Sequence, residues 1–259
     1  MQSTPKTMID VVDLYDNYIL GLRDKHFHKR YMGKEDWYHA SGAGLCMRKH
    51  YFQSVEKIEG SEKDSNTMRL FRIGDLVHED IQFACQEYAR KNGSAIYVEK
   101  EIEVPRLNVR SFIDLMMIDD NILYDIKTCN DWSWKSMFGK YGSGKPKDNY
   151  CYQLGTYGLY FREQGKDVDG LALLFYNKND SRMKEVVVPL KYIDLAEEYW
   201  NKLAELIKYG IPPIEYDDVK EIGTSPVVSW ECNKKYCSYF AECGGGISGR
   251  KKTKKDTAI

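Results

Sequence analysis

Asp114 stands in Phe112-Ile113-Asp114-Leu115, and Asp125 and Lys127 stand in Tyr124-Asp125-Ile126-Lys127. The aspartates are eleven positions apart, with the turn residues Asp119-Asp120-Asn121 between them. Folded as a hairpin, such a segment sets paired residues about 5 Å apart. Asp125 and Lys127 are two apart on one strand, so they share a face. That face would carry two carboxylates and an ammonium, with Ile113, Leu115, Tyr124 and Ile126 on the other. Like charges this close need a cation between them. Hard oxygen donors suit Mg²⁺ or Mn²⁺, and such an ion can activate water and stabilise charge on a transferring phosphate. Lys127 could orient that water or offset transition-state charge. The plainer reading makes Asp114 a strand ornament and Asp125/Lys127 a solvated pair.

Two helix-borne groups extend the set. His78, in Gly74-Asp75-Leu76-Val77-His78, shares a helical face with Phe71, Gly74 and Gln82. A neutral imidazole there could be a further ligand to the ion. Gln153 and Tyr157 lie one turn apart and could present an amide and a phenol to a phosphate or to Lys127. Each also fits ordinary helix packing.

A second constellation is Cys232, Cys237 and Cys243, spaced Cys-x4-Cys-x5-Cys among polar residues. Thiolates so clustered bind zinc or an iron–sulfur cluster, and both want four ligands. Cys85 lies among apolar helix residues and reads as core. Cys129 and Cys151 adjoin the acidic residues. Cys46, between the small-residue loop 40–44 and Arg48, is the best fourth ligand. The set would tie the two ends of the chain together and couple folding to the cluster. Spacing alone leaves zinc open.

These residues need a scaffold. The 259-residue chain is 42% hydrophobic and 30% charged, which excludes a disordered or collagen-like polymer. No apolar run is long enough for a membrane span, and Asp10, Asp13 and Asp16 break any signal-peptide core. Seven cysteines, an odd number, point to a reducing compartment rather than a disulfide framework. Apolar periodicity predicts an amphipathic helix over 8–29, a short one over 46–52, and longer ones over 67–91, 150–164 and 192–209. Strands are expected over 95–104, 109–118, 122–129, 170–177 and 183–190, and 131–147 reads as a partly ordered loop. This order predicts an α/β fold with a mixed central sheet flanked by helices and capped by the terminal segments. The expected division is 1–66 with the first cluster cysteine, 67–210 as core, 211–249 with the cysteine trio, and a basic disordered tail over 250–259.

Taken together, Gly74-x3-His78, Ile113-Asp114, Asp125-Ile126-Lys127, Gln153-x3-Tyr157, Cys46 and the late cysteine trio fall in a known order. The chain resembles the RecB-like branch of the PD-(D/E)XK nuclease superfamily. More narrowly, it is similar to the iron–sulfur exonucleases that include the CRISPR-associated "Cas-four" family and the AddB nuclease domain. The resemblance implies a restriction-endonuclease-like core and a metal-dependent exonuclease acting on single-stranded DNA or DNA ends. It implies Mg²⁺ or Mn²⁺ held by His78, Asp114, Asp125 and the Ile126 carbonyl, with Lys127 catalytic and Gln153 and Tyr157 as the following helix motif. It also implies a 4Fe–4S cluster on Cys46, Cys232, Cys237 and Cys243. Two departures stand out: the first late spacing is x4 where the family usually has x2, and Ile113 replaces the eponymous proline. No Walker A loop is present, so the chain is not a self-powered helicase–nuclease. The resemblance places it in the cytoplasm of a bacterial, archaeal or phage-infected cell, without a membrane and with possible protein partners in recombination or CRISPR adaptation.

A net charge of −1 is unusual for a DNA enzyme. Lys135, Lys140, Lys145 and Lys147 interleave with Trp132, Trp134, Phe138 and Tyr141, a pattern that can stack on bases and hold phosphates. A hydrophobically anchored surface loop is the competing reading. The tail 250–255 could add non-specific DNA affinity. Two other functions compete: a non-catalytic DNA-binding or assembly protein, and a zinc-stapled interaction module.

Overall fold

A computed structural model describes residues 10–31, 36–61, 63–212, 231–232, 234 and 236–243. The expected tail over 250–259 lies outside them, as does most of 211–230. In chain order the helices are α1 (Val11–Tyr31), α2 (Met47–His50), α3 (Ser65–Asn92), α4 (Asp131–Phe138), α5 (Asp148–Glu163) and α6 (Tyr192–Ile207). The strands are β1 (Tyr38–His39), β2 (Ile96–Val104), β3 (Val109–Met117), β4 (Ile122–Cys129), β5 (Gly170–Asn177) and β6 (Met183–Val188).

The six strands form one mixed sheet. β3 carries antiparallel β2 along one edge, with register Ile96↔Met117 to Val104↔Val109. Its other edge meets parallel β1 at Val109–Arg110 and antiparallel β4 only at Leu115–Met117. β4 then runs parallel to β5, and β6 closes the far edge antiparallel to β5. The succession of α3, β2–β4, α4, α5 and β5 gives the expected mixed central sheet flanked by helices.

α3 is capped at both ends. Asp64 accepts the Thr67 N–H at 2.7 Å and starts α3, and Gly93 ends it in the left-handed region. The core lies where α5 packs between β5 and α6, and one buried cluster joins Leu154 and Leu159 with Leu171, Leu173, Phe175, Trp200 and Leu203. Gly155 is required there, because a Cβ would sit 2.0 Å from the Tyr192 carbonyl oxygen. Trp200 Nε1 donates to the buried Thr156 hydroxyl at 2.9 Å, which satisfies both groups.

Three expectations are corrected. α1 is not the packed amphipathic helix expected: Val12, Leu14, Tyr15 and Tyr18 are exposed and Ile19 is buried. It packs against α3, where Arg69 grips Asp16 at 2.7 Å, and this contact leaves those apolar side chains uncovered among the described residues. The segment expected as a loop over 131–147 begins with α4, because Asn130 accepts the Ser133 N–H at 2.8 Å and caps the helix. Cys85, expected in the core, is only half-buried on α3.

Candidate active site

The hairpin register sets Leu115 opposite Tyr124, so Asp114 comes opposite Asp125 as its spacing requires. Ladder pairing stops at that point. The Asp114 carboxylate enters the gap, and its Oδ2 accepts the Ile126 N–H at 2.8 Å. Asp125 is wholly buried, at 0% exposure.

α3 brings two residues to Asp114. His78 Nδ1 lies 3.6 Å from Asp114 Oδ2, too far for a hydrogen bond and near enough for both to share one small cation. Gln82, one turn on, donates through Nε2 to the Asp114 carbonyl at 2.9 Å and to Glu99 Oε1 at 3.0 Å. Gly74 allows this approach, since a Cβ there would meet Thr128 Oγ1 of β4 at 3.2 Å. Phe71, expected on the same face, points to solvent.

α5 brings three residues to Asp125 and Lys127. The Lys127 ammonium lies 2.5 Å from Asp125 Oδ2 and donates to Gln153 Oε1 at 2.9 Å. An ammonium has only donors, so the Gln153 oxygen must face it and the amide nitrogen turns to the Tyr157 hydroxyl at 2.6 Å. Tyr157 in turn donates to Asp125 Oδ1 over a long 3.4 Å. Tyr150 places its ring 5.3 Å from the ammonium.

The charges follow from burial. Loss of water pushes the Asp125 carboxyl up to about 6, with Lys127 opposing the rise and Asp114 adding to it. Burial alone would lower Lys127, but Asp125 and Asp114 hold it above the ordinary value, so it stays an ammonium. Burial, then Lys127, lowers His78, so its imidazole is neutral with a lone pair to offer. Burial beside the two aspartates pushes the Tyr157 phenol well up and keeps it a donor.

The donor set fits a divalent ion. Asp125 Oδ2 is buried with no properly angled hydrogen bond, and its near neighbour Lys127 makes a charge contact only. Among the described residues no three His, Cys, Asp or Glu side chains are already gathered as a cage.

The four expected cluster cysteines share one cavity, although among the described residues no three of them are gathered closely enough to hold an ion. Cys46, Cys232, Cys237 and Cys243 line one cavity of about 30 Å³ with Arg48 and Glu231, above the ~10–15 Å³ that one water needs. Glu231 accepts the Cys46 N–H at 2.9 Å and the Lys49 ammonium at 2.8 Å. Phe52 stacks on Tyr239 with ring centroids 5.8 Å apart, docking the late segment on the early one. Burial, with Glu231 and Cys243 nearby, pushes the Cys46 thiol up to about 11. Burial therefore keeps the Cys46 thiol protonated.

The aromatic-basic set divides. Trp134 is 6% exposed and packs edge-on to Phe138, which meets Phe175, so it is core and not a stacking surface. Trp132 is 74% and Tyr141 91% exposed. Lys135 pairs with Asp131 at 2.5 Å, and Lys140 lies 5.4 Å from the Tyr141 ring centroid. The Lys145 carbonyl accepts the Ser143 hydroxyl at 2.8 Å.

Sequence reading misses Glu99 and Glu231. Glu99 lies opposite Asp114 with φ 49°, a strained backbone for a non-glycine strand residue, and nothing in its alternating neighbours marks it. Glu231 directly precedes Cys232, the one signal that could have drawn it in.

No family model matches the chain, and no curated protein matches it. Among solved structures it is similar to SSO0001, with TM-score 0.54 and 17% identity over 90% of this chain and 98% of that one. An alkaline exonuclease from Laribacter hongkongensis in complex with dAMP gives TM-score 0.48 and 15% identity over 71% and 94%. A phage related exonuclease from Haemophilus somnus gives 0.43 and 14% over 61% and 78%. At these identities the likeness to SSO0001 establishes the fold and nothing finer.

Proposed function

We propose that the chain is a metal-dependent deoxyribonuclease, an exonuclease on single-stranded DNA or DNA ends, stapled by a 4Fe–4S cluster. The observation that carries the reading is the buried Asp125 carboxylate facing Asp114 and Lys127, with His78 beside them. In this reading His78, Asp114, Asp125 and the Ile126 carbonyl hold Mg²⁺ or Mn²⁺. Such an ion, when bound, supplies Lewis-acid activation of water and of the phosphodiester.

The chain's own groups do the rest. Lys127 keeps its proton and places positive charge where the transferring phosphoryl group gains negative charge. Gln153 holds the ammonium through Oε1, and Tyr157 holds Asp125 through its hydroxyl. Exposed Trp132 and Tyr141, with Lys135, Lys140 and Lys145, would stack bases and attract the backbone. Phosphate contacts make that binding weaken as salt rises.

Cys46, Cys232, Cys237 and Cys243 would hold the cluster, which here supplies structure. Anaerobic purification separates it from zinc: an iron–sulfur protein is brown and a zinc protein colourless.

The decisive experiment follows 5′- and 3′-labelled single strands with and without Mn²⁺. Metal-dependent shortening that Asp114→Asn and Lys127→Met each abolish supports the reading. Full activity in either variant would sink the assignment of these residues, and no shortening by the wild type would leave a non-catalytic DNA-binding protein as the account.

A further inference from the structure

We propose that Arg48 is a positioning residue of the four-cysteine centre: it directs positive charge at the thiolates and sets the reduction potential of the cluster. The inference rests on the 4Fe–4S reading above. Arg48 Nη1 donates to Cys243 Sγ at 3.3 Å. Its Nε donates to the Pro212 carbonyl at 2.7 Å, a second bond that fixes the guanidinium plane. Among the described residues the hydrogen bonds of this guanidinium thus go to a carbonyl oxygen and a sulfur.

The neighbouring cation is differently engaged. Lys49 meets Glu231 Oε2 at 2.8 Å, while Oε1 of the same carboxylate takes the Cys46 N–H at 2.9 Å. That pair is neutral as a whole and clamps the Cys46 backbone to the residue before Cys232. The two adjacent cations therefore divide the work: Lys49 assembles the site and Arg48 faces its sulfur.

Four thiolates around an iron–sulfur core leave it net negative, and reduction adds one electron and no proton. A guanidinium hydrogen-bonded to a ligand sulfur favours the more negative state, so it raises the potential.

The test uses the full chain, purified anaerobically and reconstituted with ferrous iron and sulfide, with dithionite as the electron donor. Wild type, Arg48→Met and Arg48→Lys are compared by iron content, redox titration and rate of iron loss to a chelator. Arg48→Met is expected to titrate at a more negative potential and lose iron several-fold faster. Arg48→Lys, which keeps the charge but not the fixed plane, is expected to fall between. A loaded Arg48→Met with wild-type potential and iron loss overturns the proposal. So does failure of both variants to load iron, since a charge-directing role requires the lysine variant to keep the cluster. Wild-type protein that takes up zinc and no iron overturns the cluster reading itself.

Discussion

Asp114 completes the ladder for Ile126: its Oδ2 accepts the Ile126 N–H at 2.8 Å where β3 and β4 cease to pair. The carboxylate thus has two duties, one structural and one at the proposed ion. They separate by substitution. Asp114→Asn keeps an acceptor oxygen and is expected to retain wild-type stability while losing Mn²⁺-dependent cleavage. Asp114→Ala leaves the backbone donor unsatisfied and is expected to lose activity together with ~1–3 kcal/mol in urea unfolding.

Gly74 and Thr128 should be coupled. A methyl group at 74 meets Thr128 Oγ1 at 3.2 Å, so Gly74→Ala presses α3 away from β4 and carries His78 with it. The variant is expected to need more Mn²⁺ for half-maximal activity. Adding Thr128→Ala makes room, and a double-mutant cycle should return a coupling of about 1 kcal/mol. Strict additivity would show that the helix approach is not what places the imidazole.

The two tryptophans of α4 should behave oppositely. Trp134→Ala empties core against Phe138 and is expected to destabilise by ~3–5 kcal/mol. Trp132→Ala is expected to change stability by under ~0.5 kcal/mol. In the DNA-binding reading, Trp132→Ala weakens single-strand affinity several-fold in a fluorescence titration. Equal affinity for wild type and Trp132→Ala would remove this helix from the DNA path.

Acid stability should report His50. Its Nε2 lies 3.0 Å from the Gly42 carbonyl oxygen and 3.1 Å from the Tyr199 hydroxyl. Burial lowers the group from 6.5 to about 4. Between those values the unfolded chain binds a proton that the folded chain refuses, so stability falls as pH drops through that window. The loss is on the order of 3 kcal/mol and levels off below about 4. Denaturant midpoints for wild type and His50→Gln across this range should differ in slope, with the glutamine variant flatter.

Much of this was legible in one dimension. Strand side chains alternate with period two and a hairpin keeps a constant register sum, so an eleven-residue spacing around Asp119-Asp120-Asn121 already put Asp114 opposite Asp125. Apolar periodicity over 67–91 gave the helix that bears His78, because helical spacing repeats within a few residues; the cap at Asp64 and the start at Ser65 came from the structure.

What the fold alone decided depends on packing between distant segments. Trp132 and Trp134 are tryptophans two positions apart; only the docking of α4 on Phe175 of β5, through Phe138, buries one and exposes the other. Glu99 reaches Gln82 across β2 and α3 by an unusual backbone angle that local pattern does not encode. Arg48 meets Cys243 across most of the chain, and no spacing rule spans that distance. Local periodicity carries short-range geometry, whereas the partners of a buried charge are set by which surfaces the whole core brings together.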